Sequence, residues 1–110
     1  DQKLLFSTYV YPAWHSVPKR CEIYGDDWTE WDLFQTRGSF FDGQKMTPQP
    51  LWGFYDDTKD SLAERQIKTA CDYGIDLFIY LYYWSPSGVE LQKPIDTFVR
   101  ASTDSQLKFA

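Results

Sequence analysis

The sequence lacks the features that identify membrane proteins and metalloproteins. Its longest apolar run, residues 77–84, has the length of a strand and falls short of the ~18 residues that a membrane-spanning helix needs. Its one histidine and two cysteines show no CxxC or Cys/His spacing typical of a metal site. We therefore expect no membrane-spanning segment, no metal and no cofactor. Cys71 falls at a core position of a predicted helix, which favours a buried free thiol, and a Cys21–Cys71 disulfide stays open.

Basic residues are also scarce. The chain has 11 Lys and Arg against 16 Asp and Glu, which gives a net charge of −5. A nucleic acid needs clustered cations along its phosphates, and an anionic membrane surface attracts polybasic segments, so both partners are disfavoured. The sequence contains no GxSxG elbow, P-loop or dinucleotide-binding glycine pattern. A neutral ligand fits this composition better.

Aromatic residues, in contrast, are abundant. Trp, Tyr and Phe make up 19% of the 110 residues, with five Trp and eight Tyr among them, more than a core of this size requires. Tyr and Trp combine an apolar face with a polar group. Sugars suit such surfaces, because their C–H faces stack on rings while their hydroxyls need hydrogen-bond partners. The composition therefore favours a partly aromatic binding cleft beside the alternative of a large aromatic core.

The pattern along the chain predicts alternating strands and helices. Residues 4–11 read as a strand whose continuous apolarity indicates burial on both faces, and residues 75–84 read as a second strand followed by a turn at Pro86 and Gly88. The remaining elements are helices over residues 58–73 and 93–102 and the start of a third strand over residues 107–110. This order is βαβαβ, which predicts an α/β fold with a parallel sheet.

Local signals refine the two predicted helices. Ser61 and Glu64 have the spacing of a capping box, Asp56 and Asp57 are candidate capping acids, and Gly74 stands where a terminating glycine belongs. In the second helix, residues 95, 98 and 99 form the apolar stripe, and the proline at position 94 fits its first turn.

A long segment without a clear period, residues 12–57, follows the first strand. Loops of this length are uncommon in compact domains unless they have a function. The segment holds four of the five Trp residues, which favours an ordered binding loop with a short helix near residues 30–35. Three parallel strands leave an uncovered sheet edge. We therefore expect residues 1–110 to be a single incomplete domain, completed by the remainder of the same polypeptide.

Two predicted strand ends bring aromatic residues to one rim, since parallel strands end at the same edge and active sites of barrel enzymes lie beyond those ends. The hypothesis is that this rim binds a glycan. Its residues are Tyr9, Tyr11, Trp14 and His15 after the first strand, and Tyr82, Tyr83 and Trp84 after the second. As the only histidine, His15 is either a donor to a sugar hydroxyl or a structural residue.

Within the long segment, Trp28, Glu30 and Trp31 combine aromatic and acidic side chains and are further candidate glycan contacts. Glu30 is a candidate acceptor for sugar hydroxyls; alternatively it is a first-turn acid of a helix capped by Asp27 or Thr29. Glycoside hydrolysis usually needs two carboxylates that flank the scissile bond. No such pair can be placed from the sequence, so the catalytic residues stay unknown.

The same elements resemble a known group of domains. Tyr9 to His15 resembles the opening of glycoside hydrolase family 99-like domains, a group that includes the WbsX-type polysaccharide-associated domains, and Trp28 to Trp31 resembles their Phe-Thr-Glu-Trp signature with Trp in place of Phe. Further matching elements are Pro48-Gln49-Pro50, Gly53-Phe54-Tyr55-Asp56, Gln66, Ala70, Tyr73 to Asp76, Phe78, Tyr82-Tyr83-Trp84 and Leu91 to Pro94. The resemblance extends from Ser7 to Ala110.

The resemblance implies the N-terminal part of a (β/α)8 barrel that acts on glycans. It implies a retaining, endo-acting glycoside hydrolase for α-linked glycans such as mannans, without a metal, whose catalytic carboxylates lie past Ala110. Two alternatives stay open, a glycosyl-transferring domain of polysaccharide biosynthesis and a non-catalytic glycan-binding protein. A periplasmic or extracellular location accompanies the hydrolase, and a cytoplasmic one the biosynthetic enzyme.

Overall fold

A computed structural model describes residues 3–36, 38–44 and 49–110, with only the backbone of Thr36. The chain divides into two compact units. The sheet unit comprises Asp1–Pro12 and Asp57–Ala110, and the loop unit comprises Ala13–Asp56. The loop unit nearly coincides with the long segment that the sequence predicts as a binding loop. The expectation of a single incomplete domain stays a prediction.

Strands and helices alternate in the sheet unit, whereas only helices are found among the described residues of the loop unit. In chain order the elements are β1 (Ser7–Val10), α1 (Pro18–Tyr24), α2 (Trp31–Thr36), α3 (Asp60–Asp72), β2 (Leu77–Tyr80), β3 (Tyr83–Ser85), β4 (Gly88–Glu90), α4 (Gln92–Ala101) and β5 (Lys108–Phe109). No helix in the described part of the chain is long and apolar enough to cross a membrane.

The main sheet is parallel, as predicted, with the strand order β1-β2-β5. Val10 lies opposite Tyr80 in the β1–β2 pair, and Phe78 lies opposite Phe109 in the β2–β5 pair. Beyond β5, the Tyr80 N–H donates to the Ala110 carbonyl at 2.9 Å. The mixed α/β class with a three-stranded parallel sheet is therefore confirmed, and β2 is its central strand.

Helices α3 and α4 pack on one face of this sheet. Phe98 of α4 is 1% exposed and its ring contacts Phe78 of β2 at 5.6 Å. Ile67 and Ala70 of α3 and Leu107 before β5 complete the buried cluster. Full burial of a side chain such as Phe98 contributes roughly 1.5–3 kcal/mol. The alternation of side chains across a strand makes this the face of Phe78, and no helix of the sheet unit packs on the opposite face.

The end of α3 follows the sequence closely. Gly74 adopts φ +82°, its N–H donates to the Cys71 carbonyl at 3.3 Å, and the Ile75 N–H donates to the Ala70 carbonyl at 2.9 Å. This pair of bonds is a Schellman motif, which a residue with a Cβ would strain. Ile75 then packs against the core. Gly74 is thus confirmed as the terminating glycine.

The predicted start of α3 is wrong. The helix begins at Asp60 with Lys59 as its N-cap, and no side chain caps it. Ser61 lies inside the helix, so it cannot form the predicted capping box. Asp56 and Asp57 lie before the cap and do not occupy the capping position.

Three burial predictions in the sheet unit are also wrong. Most of β1 is exposed because it is an edge strand of the described sheet and only Val10 packs against the core. Cys71 is an exposed free thiol, since the buried stripe of α3 runs through Leu62 and not through the cysteine. Val99 of α4 is exposed because the helix turns Ile95 and Phe98 inwards. Cys21 is free as well, so the structure contains no disulfide between the two.

Candidate functional site

The carboxyl ends of β1 and β2 lie side by side in the sheet unit. The two strands are parallel, and the Leu81 N–H donates to the Val10 carbonyl at 3.0 Å, just past the last paired residues. Pro12, two residues after β1, is fully buried. The sequence-based expectation that these two ends meet at one edge is confirmed. This edge is the position at which parallel sheets usually bind ligands.

The second strand ends earlier than predicted. β2 stops at Tyr80, and Trp84 belongs to a separate antiparallel hairpin of β3 and β4. The Ser85 hydroxyl accepts from the Ser87 N–H at 3.2 Å and donates to the Gly88 carbonyl at 3.3 Å, which stabilises the turn predicted there. The continuous apolarity of residues 75–84 hides the break, because neither Gly nor Pro marks it.

The hairpin exposes aromatic residues beyond the strand ends. Trp84 is 74% exposed and is paired with exposed Val89, so both side chains lie on one face of the hairpin. Tyr83 meets Tyr11 edge-to-face, with ring centroids 6.0 Å apart at 73°. We call Tyr11, Tyr82, Tyr83 and Trp84 the strand-end surface. Apolar faces beside hydroxyl and indole N–H groups give it the chemistry that sugar rings require.

The Tyr9 side chain lies on a face of the sheet and is not part of the strand-end surface. It is inside β1, opposite Ile79, and therefore on the sheet face away from the core residues Phe78 and Tyr80. Its side chain is exposed. Tyr9 is thus exposed on the face opposite Phe78, one residue before β1 ends.

Two further residues near this edge, Tyr80 and Asp57, were not predicted from the sequence as site residues. Tyr80 ends β2, and its ring packs on Phe98 at 5.4 Å. Burial, and secondarily the negative charge of Asp57, raise the pKa of Tyr80 far above its ordinary value, so the hydroxyl stays protonated and can donate. Asp57 is itself buried. The only signal in the sequence was that Tyr80 occurs near the end of an apolar strand.

In the loop unit, Trp31 is the centre of an aromatic cluster. It is 6% exposed, and its ring lies 4.1 Å from that of Trp14. The rings of Phe34, Phe54 and Tyr55 surround it at 5.5, 5.4 and 5.0 Å. The Trp31 Nε1–H donates to the Tyr55 carbonyl at 2.7 Å. The structure therefore places Trp31 in the interior of the loop unit, with half-buried Trp14 at its side.

His15 and Glu30 belong to the loop unit, and both have little exposed surface. His15 is buried. The Glu30 carboxylate accepts from the Arg20 guanidinium, and both side chains are mostly buried, so this pair joins α1 to the start of α2. The Thr29 N–H donates to Asp32 Oδ2 at 2.8 Å and stabilises the same helix start. In the described chain, no group of three or more His, Cys, Asp or Glu side chains could hold a metal ion.

Trp28 is placed differently from Trp31. It is half-buried and stacks on Tyr24 of α1, with ring centroids 4.6 Å apart at 30°. Helix α1 was not predicted from the sequence, so this pair was not predicted either. The predicted contact residues therefore fall into three groups: Tyr9, Tyr11, Tyr82, Tyr83 and Trp84 in the sheet unit; Trp14, His15, Glu30 and Trp31 in the loop unit with Trp31 at its centre; and Trp28 in the stacked pair. Their role in binding stays a prediction.

Comparisons with known proteins identify a matching family and two relatives. The chain matches the family described as "Glycosyltransferase WbsX" over residues 6–110. It is 28% identical over 102 residues to "Uncharacterized protein WxcX" from strain B100 of Xanthomonas campestris pv. campestris, and equally to the protein of that name from a second strain. These alignments cover 92% of this chain and 14% of each relative, so the chain spans about one seventh of their length. No solved structure matches it significantly. Because the family match covers nearly every residue, the chain belongs to the WbsX glycosyltransferase family, whose description indicates a carbohydrate-related function.

Proposed function

We propose that the protein containing this chain is a carbohydrate-active enzyme whose glycan lies against the strand-end surface. The observation that carries the proposal is the group of rings beyond the parallel ends of β1 and β2. Tyr83 lies edge-on to Tyr11, and Trp84 is 74% exposed. Large exposed rings beside a strand edge usually mark an interaction site. The family match supports a glycan as the ligand.

The reaction that we propose is hydrolysis of an α-linked glycan such as a mannan by a retaining, endo-acting mechanism. Its support is the resemblance to family 99-like domains. The three parallel strands with two packed helices are what the N-terminal part of a (β/α)8 barrel would contain. In this proposal the chain supplies glycan contacts, and carboxylates elsewhere in the polypeptide perform the chemistry. A periplasmic or extracellular location is part of the same proposal.

The second candidate is transfer of a glycosyl group from a nucleotide sugar during polysaccharide biosynthesis. The description of the family as a glycosyltransferase favours this transfer reaction. A cytoplasmic location accompanies this candidate. Incubating the full-length protein with mannan alone and with a panel of nucleotide sugars separates the two. New reducing ends in the absence of a donor indicate hydrolysis, and product formation only with a donor indicates transfer.

The binding part of the proposal is tested with Trp84→Ala in the full-length protein. Removing the exposed ring should lower kcat/KM on the glycan about fivefold, because one stacking contact is worth on the order of 1 kcal/mol. The matched control is Tyr73→Ala, which removes another exposed ring at the C-terminal end of α3, away from the carboxyl ends of the strands. Equal activities of Trp84→Ala and the wild type would reject the strand-end surface as the glycan site. Glycan binding without turnover under either condition would indicate a non-catalytic binding protein.

A further inference from the structure

A second pair of rings, Tyr24 and Trp28, lies in the loop unit and is not part of the strand-end surface. Tyr24 is 61% exposed and stacks on half-buried Trp28 at 4.6 Å and 30°. The neighbouring Ile23 is exposed as well. Trp31, three residues further on, is buried in the aromatic cluster. The two tryptophans of one short segment therefore have different surroundings, one interior and one at the surface.

A reverse turn builds the pair. Helix α1 ends at Tyr24, and Gly25 adopts φ +122° while its N–H donates to the Cys21 carbonyl at 2.9 Å. The Trp28 N–H then donates to the Gly25 carbonyl at 3.3 Å, which closes a four-residue turn and returns Trp28 to Tyr24.

Hydrogen bonds from the backbone and from a thiol hold that turn in one shape. Asp27 adopts φ +58°, a left-handed conformation that Asp tolerates better than most L-residues. Cys21 Sγ donates to the Trp28 carbonyl at 3.7 Å from the side of the helix. The orientation of the two rings is therefore set before any ligand arrives, which lowers the entropy lost on binding.

The chemistry of the turn selects the ligand. Asp26 and Asp27 are exposed in the turn that connects Tyr24 to Trp28. Charged residues, Asp among them, are depleted from the cores of protein–protein interfaces, so a polypeptide partner is a poor fit. Two carboxylates also repel phosphates and acidic sugars. Neutral sugar units fit, because their C–H faces stack on rings and their hydroxyls donate to carboxylates.

We propose that Tyr24, Trp28, Asp26 and Asp27 form a peripheral contact site for neutral sugar units of a polysaccharide. The site rests on the proposed function only in that its ligand is of the same chemical class. It holds a polymer through residues of the loop unit, none of which belongs to the strand-end surface, and takes no part in the chemistry. Its loss therefore weakens binding of long chains and leaves the turnover of short ones unchanged.

The test uses the full-length protein in affinity electrophoresis through gels that contain mannan, a neutral glucan, a neutral galactan or anionic polygalacturonate. Tyr24→Ala should raise the dissociation constant for a retained neutral polysaccharide roughly five- to tenfold, the size expected for one stacking ring. The combined change Asp26→Asn with Asp27→Asn should weaken binding less, and Tyr24→Phe should restore most of it. The matched control is Leu33→Ala, an exposed residue of α2 outside the site.

Each outcome separates this site from the strand-end surface. If Trp84→Ala leaves kcat/KM on the glycan unchanged while Tyr24→Ala weakens retention by the polysaccharide gel, the peripheral site stands and the proposed function fails. Retention of the wild type by none of the neutral polysaccharides would overturn the peripheral site, as would equal retention of Tyr24→Ala and the wild type. A fall in oligomeric mass of Tyr24→Ala in light scattering, with unchanged retention, would identify the pair as a protein interface and also overturn it.

Discussion

The two units reach order by different means. In the sheet unit, backbone hydrogen bonds join three parallel strands, and α3 and α4 pack on them through a core around Phe98. Among its described residues the loop unit has only two short helices, of seven and six residues, and isolated helices of that length are marginal in water. Its order depends on rings that pack around Trp31 and on the partly buried Arg20–Glu30 pair. A long segment without a hydrophobic period can therefore be a structured part of the molecule when its composition is aromatic.

The largest expected effect is in the sheet unit. Phe98→Ala should destabilise it by about 3–5 kcal/mol, because the ring is fully buried among Phe78, Tyr80 and Phe109 and its removal leaves a cavity. Segment-resolved amide hydrogen exchange measures the change in each unit separately. The control Val99→Ala truncates the next, exposed residue and should change stability by less than about 0.5 kcal/mol. Similar exchange in both variants would contradict the core that we describe.

The corresponding change in the loop unit is Trp31→Ala. We expect a loss of about 3 kcal/mol, the low end for a buried Trp, because the neighbouring Phe54 is partly exposed and can close over the gap. Trp31→Phe keeps a ring but leaves the Tyr55 carbonyl without the indole donor, which should cost about 1 kcal/mol. Hydrogen exchange of residues 14–36 reports both effects. Phe41→Ala, at an exposed position of the same unit, is the control. Unchanged exchange in Trp31→Ala would show that rings do not order this unit.

The same contrast explains how much of the fold could be predicted from the sequence. In the sheet unit, the helical repeat of α3, the glycine at position 74 and the apolar strand residues are local signals, and they predicted the βαβαβ order and the parallel sheet. The break after Tyr80 was missed because strand-like residues continue across it. The exposure of β1 was missed because apolarity does not show whether neighbouring strands are present.

The candidate site was less predictable than the fold. Helix α1 has no buried residue, so no amphipathic stripe marked it, and Pro18 at its first position was the only signal. The Trp14–Trp31 and Tyr24–Trp28 contacts depend on how the chain folds back, which spacing does not reveal. Sequence reasoning therefore identified the aromatic residues but could not divide them into interior rings and exposed rings.

The smallest expected effect concerns one charge in the sheet unit, that of Asp76. At the start of the β1–β2 pair, the Phe6 N–H donates to Asp76 Oδ2 at 3.0 Å, and the Asp76 N–H donates to the Phe6 carbonyl at 2.8 Å. The hydrogen bond from Phe6, followed by the charge of Lys3 at 3.5 Å, holds the pKa of Asp76 below its usual range.

A lowered pKa in the folded state means that the Asp76 carboxylate stabilises the sheet unit fully above the unfolded-state pKa of about 3.9, and that this contribution is lost as the pH falls through the folded-state pKa. Asp76→Asn should therefore remove part of the acid sensitivity. Between about pH 6 and pH 3, the wild type should lose more stability than the variant, as measured by urea unfolding of the full-length protein with hydrogen exchange at residues 6–10. The control Asp104→Asn, at an exposed position after α4, should keep the wild-type pH dependence. If the wild type and Asp76→Asn lose stability in parallel, the Phe6–Asp76 bond does not contribute to the β1–β2 pairing.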